Sequence, residues 1–181
     1  MLTSGPEYDR AREMLRVLVS QVPDGFTTPE TEMFEGVLDG KPLQIMVKQA
    51  GAVRTTDGVV SYNAATDVYR GDQGGNLGVR TIVGPGVSPV PDNPCAVPGQ
   101  PHQGADEGCH VLTASNGLKV RLSSAARGGS RTYFAQVAYE AGTVMVGQTL
   151  LGGLALKAPL PGPFLSDQAF AEIAALPAFR P

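Results

Sequence analysis

Residues 110–150 read HVLTASNGLKVRLSSAARGGSRTYFAQVAYEAGTVMVGQTL, and this stretch decides the predicted fold. Apolar and polar residues alternate after the tripeptide Ser115-Asn116-Gly117, as in a strand with one buried face. Asn-Gly readily supplies the positive φ angles of a tight hairpin turn. A second pair of strands, Thr132–Tyr139 and Thr143–Leu150, flanks Glu140-Ala141-Gly142. The stretch therefore predicts two β-hairpins in succession.

More strands are predicted upstream of this stretch. Met33–Leu38 and Leu43–Ala50 flank Asp39-Gly40, a dipeptide that is typical of hairpin turns. Shorter strands are expected after them, at Val59–Tyr62, Val68–Arg70 and Leu77–Val83. Four glycines interrupt this region, and we interpret them as a flexible hairpin end: Gly71, Gly74, Gly75 and Gly78.

A helix is predicted towards each end of the chain. Ser4-Gly-Pro-Glu7 is typical of a capping box, in which the first side chain caps the helix and the glutamate reaches back. A helix with one apolar stripe follows over Pro6–Val22. Near the C-terminus, Ser166 is the expected N-cap of a short helix through Leu176, and Pro177 stops it.

The order of helix, strands and helix predicts an α+β fold, in which an antiparallel β-sheet is packed by the N-terminal helix and the short C-terminal helix. A chain of 181 residues lies in the range of one domain, so residues 1–181 are expected to form a single unit. The residues expected to be buried together lie on the apolar side of each periodic segment: Leu15, Leu18, Val120, Leu122, Val137, Phe170 and Ile173.

Composition limits the classes of function. The chain has a formal net charge of −3 with 17% charged residues, and no segment clusters Lys and Arg along one face. It offers no basic surface for phosphate backbones, so nucleic-acid binding is not expected. No run approaches the roughly 18 apolar residues of a membrane span. We therefore expect membrane contact only through an N-terminal anchor that is missing from this sequence.

Cys95 and Cys109 are the only cysteines in the chain, and they bracket a loop rich in Pro and Gly. We predict a disulfide between them, because a bridge over a loop of this length removes chain entropy worth about 3 kcal/mol. Two reduced thiols in a cytosolic protein are the alternative. The bridge would place the protein in an oxidising compartment, which is the extracellular space or the cell surface.

No metal or cofactor is expected. The four candidate metal ligands are Cys95, His102, Cys109 and His110. Their spacing is not that of a zinc site, and the adjacent Cys109 and His110 would point to opposite faces if they begin a strand. Oxygen ligands suited to calcium lie scattered around turns, without the spacing of an EF-hand, at Asp57, Asp67, Asp72 and Asn76.

No catalytic residue is predicted either. Ser123, Ser124 and Ser130 are available as nucleophiles, but the sequence has no Gly-x-Ser-x-Gly elbow. Both histidines belong to the loop region that the cysteines define, away from these serines in the sequence. The glycine-rich run Gly71–Gly78 lacks the Lys-Ser/Thr pair that completes a phosphate-binding loop. The chain is therefore expected not to be an enzyme.

Residues 95–181 contain three further features: Cys95 with Gly108-Cys109, the hairpin segment LTASNGLKV, and the ending LSDQAFAEIAAL over Leu165–Leu176. In these features the chain resembles the extracytoplasmic domains of uncharacterised actinobacterial single-pass membrane proteins and lipoproteins. The resemblance implies a location at the cell envelope. It carries over no catalytic residue.

Three functions follow as expectations. The first is a non-enzymatic cell-envelope ectodomain with a sensory, regulatory or protein-interaction role. The second is a carrier of a small apolar or lipid ligand, because a curved sheet with a helix over one face can hold a cavity. The third is a hydrolase without a recognised motif, which a cleft with converging histidines and acids would favour. The expected partner is accordingly an unknown protein or a small apolar ligand.

Overall fold

The computed structural model describes residue 2 and residues 4–38, 41–84, 107–127, 130–151 and 157–181. Its helices are α1 (Pro6–Val19) and α2 (Asp167–Ala174), and a 3₁₀ turn follows at Pro177–Phe179. Its strands are β1 (Thr31–Leu38), β2 (Lys41–Met46), β3 (Lys48–Arg54), β4 (Val60–Arg70), β5 (Gln73–Val83), β6 (Glu107–Thr113), β7 (Lys119–Arg127), β8 (Ser130–Tyr139), β9 (Gly142–Thr149) and β10 (Ala158–Pro159).

Most of these strands join one antiparallel sheet in the order β3-β4-β5-β9-β8-β7-β6. β9 returns to lie beside β5, and this pair connects the half formed by β3–β5 to the half formed by β6–β9. β10 adds a short parallel pairing to the start of β5, and β1 and β2 form a separate two-stranded sheet. The described chain is thus an open antiparallel sheet with two helices, in agreement with the α+β class at this level.

Both helices lie on the same face of the main sheet. α1 packs on β3 and β4, whereas α2 packs on β7, β8 and β9. Met14 and Leu18 of α1 and Phe170 and Ile173 of α2 belong to one cluster of buried residues, together with the fully buried Phe179. Neither of these helices is long and apolar enough to cross a membrane.

Six of the seven residues predicted to be buried are no more than 4% exposed: Leu18, Val120, Leu122, Val137, Phe170 and Ile173. Leu15 packs against the same cluster but stays partly exposed. The helical repeat explains the difference, because successive residues rotate by about 100° around the axis. Ala11, Met14 and Leu18 share the centre of the buried stripe, and Leu15 lies on its flank.

The two hairpins predicted from residues 110–150 are confirmed. β6 and β7 meet at a turn in which Gly117 has a φ of +84° and the Ala114 N–H donates to the Leu118 carbonyl oxygen at 2.9 Å. β8 and β9 are joined through Glu140 and Ala141, and Tyr139 pairs with Gly142 across the ladder. Turn residues and alternation together therefore located both hairpins.

The predicted strand Leu43–Ala50 is wrong in one respect, because the chain changes sheets within it. β2 ends at Met46 and β3 begins at Lys48. Between them, the Val47 N–H donates to the Glu30 carbonyl oxygen at 3.2 Å, and the Val47 carbonyl oxygen accepts from the Asp67 N–H at 3.1 Å. Alternation continues through the change of partner, so the sequence pattern does not mark it. The predicted turn residues Asp39 and Gly40 lie outside the described residues.

The strands predicted at Val59–Tyr62 and Val68–Arg70 are in fact one continuous strand, β4, of 11 residues. The strand predicted at Leu77–Val83 likewise begins earlier, at Gln73. The polar and small residues that suggested interruptions have regular ladder partners, so pairing with neighbouring strands overrides their weak local preference for strand.

The interpretation of the glycine-rich run as a flexible hairpin end is also wrong. Only Gly71 and Asp72 form the turn, and the other glycines lie inside β5. A Cβ atom added at Gly74 would lie 2.9 Å from the Tyr69 ring, and one added at Gly75 would lie 2.7 Å from the Thr149 carbonyl oxygen. At these two positions glycine permits close packing.

The predicted capping box at α1 does not form. The N-cap is Gly5, with a φ of +89°, and no side chain caps the helix. Glu7 instead pairs with Arg54 on β3, and the hydrogen bond from this guanidinium lowers the pKa of Glu7. The N-cap of α2 is as predicted, since the Ser166 Oγ accepts from the Ala169 N–H at 3.2 Å.

Candidate functional site

The predicted disulfide and the predicted metal ligands are only partly within the described residues. Cys95 and His102 lie outside them, so the bridge between Cys95 and Cys109 stays a prediction. Among the residues that the structure describes, no three His, Cys, Asp or Glu side chains are grouped as a metal site.

Cys109 and His110 point to opposite faces of β6, as expected for adjacent residues of a strand. The Cys109 Sγ accepts from the Arg121 Nε at 3.3 Å on the face away from the helices. The His110 ring lies on the helix side, where its Nε2 is 3.2 Å from the Asp167 Oδ2 at the start of α2. These two side chains therefore do not converge on one ligand.

The four oxygen-bearing candidates for calcium do not form one cluster. Asp67 and Asn76 are ladder partners, and the Asn76 Nδ2 donates to the Asp67 Oδ1 at 2.8 Å. Asp57 and Asp72 lie in the turns before and after β4, at opposite ends of that strand. Asp57 accepts a hydrogen bond from the Thr55 hydroxyl, which lowers the pKa of Asp57.

The candidate serine nucleophiles are held in the sheet. The Ser124 Oγ accepts from the Arg131 Nη1 at 3.2 Å, whereas Ser123 points to the other face of β7. The Ser130 hydroxyl is buried at the start of β8. Within the described part of the chain, no hydrogen bond joins a serine hydroxyl to His110.

A groove crosses the face of the sheet opposite α1 and α2. We call it the helix-free face, because none of the described residues forms a helix on it. Its volume is about 340 Å³, within the range of small-molecule sites. It runs across β3, β4, β5, β9 and β8. The residues that line it include Gln49, Gly51, Asn63, Ala65, Asn76, Gly78, Arg80, Thr132, Phe134, Met145, Gly147 and Thr149.

The strand register arranges most of this lining in three parallel rows across the sheet. The floor consists of consecutive ladder partners on four neighbouring strands: Ala65, Gly78, Gly147 and Phe134. The Asn76 wall consists of Asn76, Thr149 and Thr132. The Arg80 wall consists of Asn63, Arg80 and Met145, and its row continues beyond the groove to Gln136 on β8. Each wall lies two residues from the floor along every strand, which is about 7 Å.

Two facing glycines leave the middle of the floor without side chains. Gly78 and Gly147 are partners in strand interiors, where glycine is less stable than alanine by roughly 0.5–1 kcal/mol. Packing does not require glycine there, since a Cβ atom would have no neighbour closer than 3.6 Å at Gly78 or 3.9 Å at Gly147. This pair differs from Gly74 and Gly75, where a Cβ atom would collide. Glycine in a strand often marks a place where a ligand approaches the backbone.

A buried carboxylate orients the Asn76 wall. Asp67 is 3% exposed and accepts hydrogen bonds from the Asn76 Nδ2 at 2.8 Å and the Tyr69 hydroxyl at 3.3 Å. Because the Asn76 amide nitrogen is bound to Asp67, its Oδ1 lies towards the floor, 3.8 Å from an ideal Cβ on Gly78. The wall therefore offers an oriented carbonyl oxygen together with the hydroxyls of Thr149 and Thr132.

The Arg80 wall differs from the Asn76 wall, because it includes a positively charged side chain. Arg80 is exposed, and its Nε donates to the Ser61 Oγ at 2.9 Å. The Asn63 Nδ2 reaches the same Oγ at 3.3 Å, so both side chains are anchored to one hydroxyl. Farther along, the Arg121 Nη1 donates to the Gln136 Oε1 at 3.3 Å. The groove thus lies between a wall of amides and hydroxyls and a wall that includes a guanidinium.

Comparison with known proteins finds no matching family model, no matching curated protein and no matching solved structure.

Sequence reasoning missed the groove because each wall combines residues that are far apart in the chain. Met145 joins Asn63 and Arg80 only when β9 pairs with β5. One signal was available beforehand: Gly78 and Gly147 each interrupt a segment that alternates like a strand. A pair of unexplained strand glycines would have pointed to this part of the sheet.

Proposed function

We propose that this chain is a non-enzymatic cell-envelope binding domain with a sensory or regulatory role, and that it takes up a compact ligand in the groove on the helix-free face. The observation that supports this proposal most is the floor of the groove. Gly78 and Gly147 face each other there without any packing reason for glycine, between the Asn76 wall and the Arg80 wall.

The size and position of the groove favour a compact ligand over a long lipid. A lipid carrier would be expected to hold its ligand between the sheet and the helices. On that side Leu77, Val79, Val144 and Val146 are no more than 2% exposed within the core. The groove lies on the opposite face, and its volume of about 340 Å³ is near the lower end of the roughly 300–1,000 Å³ typical of ligand sites.

The chemistry of the lining favours binding over catalysis. The polar groups that line the groove are amides, hydroxyls and the Arg80 guanidinium. Such groups orient a ligand through hydrogen bonds, whereas general-base catalysis ordinarily uses His, Asp, Glu, Lys, Tyr or Cys. The nearby Asp67 carboxylate is buried and bound by Asn76 and Tyr69, so it serves to fix the wall.

The proposed location rests on the sequence. The predicted bridge between Cys95 and Cys109 favours an oxidising compartment, and the resemblance of residues 95–181 to cell-envelope domains agrees with it. A binding domain at the cell surface would present the groove to solutes outside the cell. This arrangement suits a sensor of an extracellular small molecule.

Filling the groove tests the proposal. Gly147→Val adds a β-branched side chain to the floor, where the nearest neighbour of a new Cβ is the Phe134 ring at 3.9 Å. Saturation-transfer-difference NMR with a set of compact aromatic and aliphatic compounds would measure binding to both proteins. We expect several compounds to bind the unmodified chain and to lose at least about tenfold in affinity on Gly147→Val, which corresponds to about 1.4 kcal/mol.

Ala138→Val is the matched control, because it places the same valine side chain on β8 outside the groove lining. Compounds that bind in the groove should bind this variant as they bind the unmodified chain. The proposal is wrong if no compound binds, or if Gly147→Val and Ala138→Val have the same effect on those that do.

A further inference from the structure

We propose that the ligand of the groove is an anion: a compact apolar molecule with one acidic group, bound by Arg80 while its apolar part covers the Gly78–Gly147 floor. This inference rests on the proposed function of the groove and adds the chemical class of the ligand. Charge, hydrogen bonding and shape support it in turn.

The charges on the helix-free face favour an anion near Arg80. Among the side chains described on the strands of that face, only Asp67 carries a carboxylate. Asp67 is 3% exposed and accepts hydrogen bonds from Asn76 and Tyr69. Asp67 is four residues along β4 from Asn63, the ladder partner of Arg80, which is about 13 Å at the rise of a strand. An acidic group bound at Arg80 therefore lies beside a guanidinium and far from the carboxylate described on these strands, although the whole chain has a net charge of −3.

Arg80 is positioned to bind an acidic group. Its Nε donates to the Ser61 Oγ at 2.9 Å, which fixes the plane of the guanidinium. Among the described residues, its two terminal nitrogens have no hydrogen-bond partner. A guanidinium presents parallel N–H groups whose spacing matches the two oxygens of a carboxylate, sulfonate or phosphate. The geometry thus leaves the terminal donors available to a ligand.

The floor and its ends suit an apolar body. Gly78 and Gly147 expose backbone without side chains, Phe134 closes one end of the floor, and Met145 stands beside Arg80 in the wall. An aromatic ring and a flexible thioether both contact apolar groups well, and methionine adapts to irregular shapes. A ligand with its acidic group at Arg80 would place its apolar part over the glycines, against Phe134.

Two related fluorescent probes test the inference. 8-Anilinonaphthalene-1-sulfonate and N-phenyl-1-naphthylamine share one aromatic body, and only the first has an acidic group. Fluorescence titration should give the sulfonate at least about tenfold higher affinity for the unmodified chain, because only the sulfonate can accept charge-assisted hydrogen bonds from the Arg80 guanidinium. Arg80→Gln should remove this difference by weakening the sulfonate alone, and Arg80→Lys should keep part of it.

Arg12→Gln is the matched control, since it removes the same charge from an exposed position on α1, on the other side of the sheet. It should leave both affinities unchanged. Gly147→Val should weaken both probes if they bind in the groove. The anion inference is wrong, and the groove stands, if Gly147→Val weakens both probes but Arg80→Gln does not change their ratio. The groove itself is wrong if Gly147→Val affects neither probe.

Discussion

The glycines of β5 and β9 differ in what a side chain would meet. At Gly75, a Cβ atom would lie 2.7 Å from both the Leu160 Cδ1 and the Thr149 carbonyl oxygen, and the backbone oxygen cannot move aside without breaking the sheet. At Gly78, the nearest atoms lie 3.6 Å away, which is ordinary van der Waals contact. Glycine is therefore required at position 75 to avoid a steric clash but not at position 78. Substitution by alanine distinguishes the two positions.

Gly75→Ala should lower the free energy of unfolding by about 1–3 kcal/mol, the usual effect of overpacking. Gly78→Ala should raise it by about 0.5–1 kcal/mol, because alanine is more stable than glycine in a strand interior where the Cβ atom meets no close neighbour. Urea denaturation followed by circular dichroism measures both. Equal destabilisation by the two variants would contradict the assignment of Gly78 to an open floor.

Glu172 ties the β6–β7 turn to α2 and gives stability a pH dependence. Its carboxylate accepts from the Ser115 hydroxyl and the Ser115 N–H, both at 2.8 Å. These bonds, the hydroxyl first, lower the pKa of Glu172 from its ordinary value of 4.5, with a further contribution from Gln168. Because the folded pKa is the lower one, this stabilisation is present above the ordinary value and disappears as the pH falls through the folded pKa.

The difference in unfolding free energy between the unmodified chain and Glu172→Gln should therefore be constant near neutral pH and shrink once the pH drops below 4.5. Urea denaturation at a series of pH values from neutral to about pH 3 would follow it, since that range spans an ordinary carboxyl titration. A difference that does not vary with pH would show that the carboxylate is not held by Ser115.

At the scale of elements, local patterns predicted where strands and helices occur better than how far they extend. Alternation and the Asn-Gly turn located β6 and β7, and Ser166 located the start of α2. The length of β4, by contrast, depends on pairing with β3 and β5 on its two sides. The capping box predicted at the start of α1 does not form. Its glutamate, Glu7, instead binds Arg54 on β3, a contact made only in the folded chain.

The packing of both helices on one face makes a further prediction. Leu18 is 0% exposed and Ile173 is 4% exposed, so truncation of either leaves a cavity in the shared core. Leu18→Ala and Ile173→Ala should each lower the free energy of unfolding by about 2–5 kcal/mol. Leu15→Ala, at the partly exposed flank of α1, should have a smaller effect. Similar losses for Leu15 and Leu18, measured by urea denaturation, would mean that α1 packs differently.

The segment between β5 and β6 is predicted to be closed by the bridge between Cys95 and Cys109. Titration of the denatured, unreduced protein with a thiol reagent should find no free sulfhydryl. Replacing both cysteines by serine should lower stability by about 3 kcal/mol, the chain-entropy effect for a loop of this length, and leave the strands that follow in place. Two free thiols would remove the main argument for an oxidising compartment.

At the scale of the whole molecule, the sequence predicts the class of fold and most of the core but not the groove. Class and core follow from local periodicity, which is why six of the seven expected core residues are buried. The groove depends on the pairing of β5 with β9, residues 76–83 with residues 142–149, which places Gly78 opposite Gly147. No local pattern specifies that register. Which face of the sheet α1 and α2 leave uncovered is likewise decided only by where these two helices pack.

The most direct test of the central claim is to map a bound probe onto the sheet. Two-dimensional ¹H–¹⁵N NMR of the unmodified chain, titrated with 8-anilinonaphthalene-1-sulfonate, reports which backbone amides change environment. We predict that the largest shifts occur at the floor and walls of the groove, at Ala65, Gly78, Arg80 and Gly147, and that α1 and α2 are little affected. Shifts concentrated on the two helices, with these four residues unchanged, would contradict the assignment of ligand binding to the helix-free face.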